Sequence, residues 1–374
     1  MATLDIIGRL RVGREGRRRL GARGRKRVLR VFATTVMVIY SVLTIFPFYA
    51  LFVRSFVPTK ESSDLHLWLP EVEEVSMERE VGNLAVFYDM DTADLKDALG
   101  IPQTEFLGAR MTLAELAEEY DIPEEKIKDH FAGFYRYNGW QTLLFGDLYG
   151  TTFWACLGRT LLITVVSLAL LIVLSVFTGY GLSGLQRKDQ MAVYNVYLLQ
   201  MVIPAMLILL PQYQLFQWIF RLFPNYAGKG ITRYALQLLA VVLINVKGTA
   251  LSTMIFVSAI SGIPPDLEDS AMVDGATRLQ YVRHVLFPLL KVPIVSLIVI
   301  QMPLIYNQFL QPYVYLDPAN STLLPFIQSA VGQFSTNFQV IYSAIFASVL
   351  PMLIVYLLFR RMFVEGVMAG AIKG

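Results

Sequence analysis

The chain reads Ile263-Pro264-Pro265-Asp266-Leu267-Glu268-Asp269-Ser270-Ala271-Met272-Val273-Asp274-Gly275-Ala276 between two long apolar segments, and it continues to Val285-Leu286-Phe287-Pro288. Paired prolines suit a helix start because their missing N–H groups cost nothing there, and the acidic residues that follow favour the positive end of a helix dipole. Asp274-Gly275 indicates a turn, and Thr277 can cap a second helix that ends near Pro288. The stretch therefore predicts two short helices joined at a glycine.

The composition places the chain in a membrane. Of its 374 residues, 55% are hydrophobic and only 16% are charged, and the mean hydropathy is +0.52. An ordinary soluble domain of this length is less apolar and more highly charged. We therefore predict an all-α polytopic membrane protein.

Residues that could carry catalysis or bind metal are scarce. Cys156 is the one cysteine and lies in an apolar stretch, which excludes a disulfide framework and favours a small buried thiol. His66, His130 and His284 are far apart and lack ligand-like partners, so we expect no metal site. The sequence also has no paired nucleophile and base and no Gly-x-x-x-x-Gly-Lys-Ser/Thr phosphate loop. These absences predict a protein that is not an enzyme, with no catalytic residues and no cofactor of its own.

Apolar runs of about 20 residues are long enough to cross roughly 30 Å of hydrocarbon. The first is too long for a signal-peptide core and precedes no cleavage site of the usual kind. We predict six spans, at about Val31–Phe56, Thr152–Leu182, Ala192–Phe220, Tyr234–Val257, Val285–Phe309 and Ile341–Phe363. Prolines at 204, 211, 288, 293, 303 and 351 predict that several of these helices are broken or kinked.

The two signs of charge are segregated along the chain. Residues 1–30 carry eleven Lys/Arg against two acids, whereas residues 60–147 carry 20 of the 29 acids and seven basic residues. Basic flanks are retained in the cytoplasm, so both termini and the 261–288 loop are predicted to be cytoplasmic. Arg221, Lys229 and Arg233 are exceptions on the outer side.

The predicted organisation has five parts. A basic cytoplasmic tail (1–30) contacts anionic lipid rather than nucleic acid, since a membrane span follows at once. The first transmembrane helix (31–56) precedes an acidic extracytoplasmic insertion (57–148). A five-helix transmembrane core (149–363) follows, and a cytoplasmic tail (364–374) ends the chain.

The insertion contains two related phrases, 91–102 and 112–125, each with a capping-box pattern and a closing Ile-Pro. They predict a small helical domain with a weak internal duplication. The second phrase looks like a DNA-reading helix-turn-helix, but a net charge of about −13 over residues 60–147 is the wrong sign for a phosphate backbone. We expect no nucleic-acid binding.

Polar residues within the predicted spans are candidates for a water-filled path, because lipid penalises them. The same residues also suit hydrogen bonds between packed helices or anchoring at the interface. The candidates are Asn245, Lys247, Gln301, Tyr306 and Asn307.

The central stretch resembles the EAA motif of ABC importer permeases, which reads Glu-Ala-Ala, three residues, Gly, nine residues and Ile-x-Leu-Pro. Asp269 stands for the family's Glu, Ser270 for its first Ala, Val285 for Ile and Phe287 for Leu. The Asp-Gly-Ala at 274–276 is similar to the carbohydrate-uptake branch typified by maltose permeases. The closing residues 361–374 are very like the tail of its smaller, G-type subunit, whereas the insertion is larger than the family's usual loop.

This resemblance implies a function and a set of partners. In the family the motif loop docks into a cleft on a cytoplasmic ATPase, which implies coupling roles for Asp269, Ser270, Ala271, Asp274, Gly275, Ala276 and Pro288. The family's tail reaches into the ATPase dimer, which implies contacts for Gly366, Ala369, Gly370 and Gly374. ATP and Mg would be bound by two partner ATPase subunits. A second permease chain would complete the path, and an extracytoplasmic solute-binding protein would deliver a sugar or oligosaccharide.

Two other functions remain open from the sequence. A secondary transporter also has polar, proline-broken spans but does not need the 269–288 spacing. A membrane-tethered sensor would use residues 60–147 as its sensing domain. Neither alternative accounts for both the central stretch and the tail.

Overall fold

The computed structural model describes residues 22–58, 67–69, 75–84, 90, 92–147, 150–223, 226, 230–246, 250–329 and 337–371. Regular structure in these ranges is almost entirely helical, and an isolated antiparallel bridge joins Glu80 and Thr112. The insertion contains a short 3-10 turn at Val81–Asn83 and the helices α2 (Thr92–Leu99), α3 (Leu113–Glu119) and α4 (Glu124–Phe145).

The remaining helices form the membrane part of the chain. In order they are α1 (Ala22–Arg54), α5 (Phe153–Ser183), α6 (Arg187–Val202), α7 (Ala205–Phe220), α8 (Ile231–Val246), α9 (Ala250–Ser261), α10 (Asp266–Val273), α11 (Arg278–Leu289), α12 (Lys291–Tyr306), α13 (Leu310–Tyr315), α14 (Leu323–Ser329) and α15 (Phe338–Ala371). The α11 helix contains a π-helical turn at Val282–Leu286.

Three helices of the described chain are long and apolar enough to span a membrane, within α1, α5 and α15. Two bent pairs, α8 with α9 (53°) and α11 with α12 (72°), raise the number to five if each pair is one span. The prediction of an all-α membrane protein is therefore confirmed, whereas the count of six spans is not and stays a prediction.

The difference lies in the third predicted span, Ala192–Phe220. Two helices of 16 residues each, α6 and α7, occupy this region, and the chain between them is extended at Ile203 (φ −83°, ψ 115°). Proline disfavours the helical conformation of the residue before it and offers no N–H of its own. Pro204 therefore divides this segment, while Pro211, Pro303 and Pro351 lie inside continuous helices.

The α5 helix is the centre of the membrane part. It packs against α8, α9, α12 and α14, and its N-terminus is capped by Thr152, whose side chain accepts a hydrogen bond from the Ala155 N–H. Its buried positions recur along the helix from Phe153 to Leu182. Its exposed positions, such as Leu162 and Val165, are apolar as well, which suits a helix of a membrane bundle.

The insertion has a hydrophobic core of its own, in which Leu95 of α2 and Leu116 of α3 are fully buried. Both helices end in the same way. Gly100 (φ +78°) and Asp121 (φ +52°) adopt left-handed conformations, and the N–H of the following isoleucine bonds back five residues, at 2.8 and 2.9 Å. These matching ends support the duplication.

Of the two capping boxes predicted in the insertion, the structure describes one. The box at the start of α3 is present, because Thr112 and Glu115 exchange side-chain and backbone hydrogen bonds. The start of the first phrase, at Asp91, lies outside the described residues.

The α4 helix joins the insertion to the membrane helices. Its first half contributes Ile127 and Phe131 to the insertion core. Its second half packs along α15, where the Gly139 N–H donates to Gln339 Oε1 (3.2 Å). Trp140 Nε1 also donates to Ser55 Oγ (3.1 Å), just after α1. One continuous helix thus takes part in both units.

The α1 helix is attached mainly by its C-terminal end. Its side chains from Leu29 to Tyr49 are exposed, while Val53 is buried, as are Ser55 and Val57 just after the helix. Lipid or another protein chain can therefore cover most of this helix.

Candidate functional site

The central stretch folds as predicted, into two helices joined at Gly275. The α10 helix ends in a Schellman arrangement, because the Gly275 N–H bonds to Met272 O and the Ala276 N–H to Ala271 O, both at 3.0 Å. Gly275 has φ +83°, a conformation that glycine adopts without a steric penalty. Thr277 then starts α11 with a capping box that it shares with Gln280. Short-range bonds thus fix the angle between the two helices.

The two faces of α10 differ. Ala271 and Met272 are half-buried against a core that includes Tyr281 and Leu286. Ser270 and Val273 lie on the exposed side, Val273 at 88% exposure, together with Asp269, Asp274 and Gly275. Among the predicted coupling residues, Ala271 therefore supports the loop from within, and the exposed set forms the surface available to a partner.

Pro288 lies apart from this surface. It is exposed in the last turn of α11, next to the 72° bend that leads into α12. Proline lacks the N–H that would continue a helical bond pattern and is common where helices bend. Pro288 therefore belongs to the connection between the loop and the membrane helix.

A contact that the sequence does not reveal holds the loop to the centre of the bundle. Tyr180, near the end of α5, donates a short hydrogen bond to Glu268 Oε1 of α10. The Tyr180 ring also lies 6.2 Å from that of Tyr281 in α11. A cleft of about 620 Å³ opens beside them, between the end of α5 and Pro264-Pro265. Tyr180 is thus a positioning residue for the loop.

Tyr180→Phe is expected to loosen α10. A hydrogen bond to a charged group contributes about 1.5–3 kcal/mol, and partial exposure places this bond near the lower end of that range. That loss predicts roughly tenfold faster amide exchange of residues 266–273. Hydrogen–deuterium exchange of the purified chain in nanodiscs measures it. Glu268→Gln keeps an acceptor and should change less, and equal exchange in wild type and Tyr180→Phe would contradict the anchoring role.

The predicted path residues do not form a single cluster of contacts. Asn245 and Gln308 exchange reciprocal amide hydrogen bonds of 3.1 and 3.0 Å, which join the end of α8 to the end of α12. Tyr306 is buried and donates to Ser348 O of α15 (2.8 Å), a bond between packed helices. Gln301 is also buried, Asn307 is exposed, and Lys247 lies outside the described residues.

Two arginines near the same end of the bundle have clear partners. Arg233 forms a bidentate ion pair with Asp317, at 3.0 and 2.8 Å. Arg233 is one of the basic residues on the predicted outer side, and its charge is neutralised there by Asp317. Arg159, in α5, donates to Ser321 O and to Thr151 Oγ1, both at 3.0 Å. The sequence shows these charges but not their partners, which follow 84 and 162 residues later.

The predicted tail continues the last helix. The α15 helix extends to Ala371 and includes Gly366, Ala369 and Gly370, while Gly374 lies outside the described residues. Among the described residues, no group of three His, Cys, Asp or Glu side chains could hold a metal ion. The tail's contact with an ATPase and the chain's lack of a cofactor stay predictions.

Comparison with known proteins decides the family. Residues 172–368 match the family described as the binding-protein-dependent transport system inner membrane component. The chain belongs to this family. The match includes the whole central stretch and the path candidates, and it begins after the insertion. Membership selects an importer permease over the secondary transporter and the tethered sensor, and places this chain in a membrane.

Relatives and a solved structure agree with this binding-protein-dependent permease family. The chain is 27% identical over 218 residues to the "Probable starch degradation products transport system permease protein AmyC" of Thermoanaerobacterium thermosulfurigenes, covering 58% of this chain and 74% of the relative. It is 27% identical over 236 residues to the arabinooligosaccharides transport system permease protein AraQ of Bacillus subtilis (62% and 78%). A crystal structure of a bacterial ABC transporter for alginate import has a similar fold, with a TM-score of 0.58, 15% identity and coverage of 90% and 96%.

Proposed function

We propose that this chain is a permease subunit of an ATP-driven importer for a sugar or oligosaccharide, and that it forms half of the translocation pathway. The proposal depends on one observation. The α10–α11 loop, whose angle is fixed by its own short-range hydrogen bonds, lies within the residues that match the family. The names of the relatives, which specify starch degradation products and arabinooligosaccharides, support a carbohydrate.

The loop couples ATP hydrolysis to movement of the membrane helices. An ATPase would contact the exposed side of α10, where Asp269, Ser270 and Val273 project. Packed interfaces transmit motion as rigid bodies because they resist continuous deformation. Displacement of α10 would therefore pass to α5 through Tyr180 and to α12 through α11. Two partner ATPase subunits would bind the ATP and Mg.

Other partners follow from the family and from exposed surfaces. A second permease chain and membrane lipid would cover the exposed length of α1, and a solute-binding protein would deliver the solute on the extracytoplasmic side. Both termini would lie in the cytoplasm, where residues 366–374 would reach the ATPase dimer. The Asn245–Gln308 pair would line or close the path at the ends of α8 and α12.

Reconstitution tests this function. The chain, co-expressed with its ATPase and second permease, should co-purify with them and take up labelled maltodextrin or arabinan oligosaccharide when ATP and a binding protein are present. Asp269→Lys reverses a charge on the exposed side of α10, and we expect it to abolish uptake while the chain still inserts in the membrane. Wild-type uptake by this variant would contradict the coupling role.

The insertion is proposed to contact the solute-binding protein or the second permease. Its separate core supports a folded contact domain. A deletion that tests this role has to preserve the second half of α4, because residues 138–143 pack against the membrane helices. Replacement of residues 75–131 by a flexible linker should weaken binding-protein affinity or subunit assembly. Unchanged affinity, assembly and uptake would contradict the proposal.

A further inference from the structure

Aromatic side chains are exposed where the insertion meets the membrane helices. Trp68 is 79% exposed and Phe145 is 85% exposed, and Leu69 and Trp154 are also exposed. Isolated exposed apolar residues are common, but several large ones at one level of a membrane protein mark an interaction surface.

Hydrogen bonds fix the level of these side chains relative to the spans. Tyr49, five residues before the end of α1, donates from its hydroxyl to Leu67 O (2.6 Å). Trp154, in the first turn of α5, donates from Nε1 to Leu144 O (3.1 Å). The segments 67–69 and 144–145 are therefore attached to residues near the ends of two helices that are long enough to span a membrane.

These two segments contrast with the rest of the insertion in charge. They consist of Leu67-Trp68-Leu69 and Leu144-Phe145, without a charged residue, whereas residues 60–147 have a net charge of about −13. The acidic residues of α3, by comparison, are exposed on the insertion's own surface. The uncharged segments also continue the exposed apolar surface of α1, which reaches Tyr49.

We propose that Trp68, Leu69 and Phe145 are anchors in the lipid headgroup region, so that the insertion rests on the membrane surface through this uncharged edge. Tryptophan suits this region because its ring combines an apolar body with a polar N–H. The contacts of Gly139 and Trp140 hold α4 firmly against the bundle. Anchoring would therefore fix the height at which the acidic surface of the insertion stands. The proposal depends on membrane insertion and not on the transported solute.

Depth-dependent fluorescence quenching tests the proposal. The chain has four tryptophans, at 68, 140, 154 and 218. A variant that retains Trp68 alone, with phenylalanine at the other three positions, is reconstituted into phosphatidylcholine nanodiscs. The lipid carries bromine either near the headgroup or near the end of the acyl chain. Trp68 should lose most of its emission with the shallow quencher and little with the deep one. Phe145→Trp is made in the variant that retains Trp154, because Trp154 Nε1 holds Leu144 O. The emission that this substitution adds over Trp154 alone should also be quenched mainly by the shallow lipid.

Two further variants are controls. Trp154 alone, at the start of a span, reports the level of the interface and shows that the quencher is active. Trp140 alone is the matched control, because it lies on the same helix as Phe145 but its ring packs against Phe56 and Phe346. Trp140 should be quenched least. Absence of shallow quenching at both 68 and 145 would overturn the proposal. Loss of that quenching in the assembled importer would also overturn it, since a protein partner would then cover the edge.

Discussion

Gly275→Val is expected to lower ATP-driven uptake at least tenfold, whereas Gly275→Asn should retain most of it. The difference is expected from the backbone conformation at Gly275 and not from a lack of room for a side chain. Gly275 has φ +83°, and a Cβ added there would meet no atom within 4 Å. Residues with a side chain pay about 1–2 kcal/mol in this left-handed region, asparagine tolerates it best, and β-branched residues are outliers there. Valine would therefore break the Schellman bonds that end α10, and the loop would lose its fixed angle.

Uptake and ATPase activity of reconstituted complexes separate the possible outcomes. In Gly275→Val we expect at least tenfold lower uptake, which corresponds to about 1.4 kcal/mol, with residual ATPase activity that no longer responds to the solute-binding protein. Gly181→Ala is a control at a glycine of α5 that also has no atom near its Cβ position. Equal uptake by the valine and asparagine variants would show that the angle of the loop is unimportant.

Gly139→Ala is expected to destabilise the chain, although alanine normally favours a helix. A Cβ at this position would lie 2.6 Å from Gln339 Cγ and 2.8 Å from the Gln339 backbone carbon. Forcing additional atoms into a close-packed contact costs about 1–3 kcal/mol. The α4 and α15 helices would have to separate, and Gly139 would lose its bond to Gln339 Oε1.

Gly158→Ala is a control that should change stability in the opposite direction. This glycine lies exposed in α5 with no atom near its Cβ position, so alanine should stabilise the helix by about 0.5–1 kcal/mol. Thermal unfolding in detergent, followed by tryptophan fluorescence, should give a lower midpoint for Gly139→Ala and an unchanged or higher midpoint for Gly158→Ala. If both variants shift in the same direction, close packing at Gly139 is not the determining feature.

Local signals in the sequence predicted the central loop well. Proline pairs, first-turn acids, a glycine turn and a threonine cap act over a few residues, and each has the predicted effect in α10 and α11. The long apolar spans α1, α5 and α15 follow from hydropathy for the same reason. The third span stays a prediction: a break or kink was expected at Pro204, and two separate helices meet there, but an apolar run does not show whether the two halves cross the membrane as one span.

Contacts between distant residues could not be predicted. The bond between Tyr180 and Glu268 joins residues that are 88 positions apart, and Gly139 contacts Gln339 across 200 positions. A single sequence contains no signal for such pairs. The partners of the path candidates could not be predicted either. Tyr306 donates to Ser348 O of a neighbouring helix, whereas Asn245 pairs with Gln308. Polarity identified these residues but not their roles.

The α15 helix is long enough to connect the insertion with the C-terminal tail. It has 34 residues, and at 1.5 Å per residue its length is about 50 Å. One end is held by α4 of the insertion, and the other end belongs to the tail that we expect at the ATPase. Pro351 lies near its middle, and the helix is continuous through it. Tilting of the insertion at one surface would therefore swing the tail in the opposite direction at the other, by a direct connection separate from the α10–α11 loop.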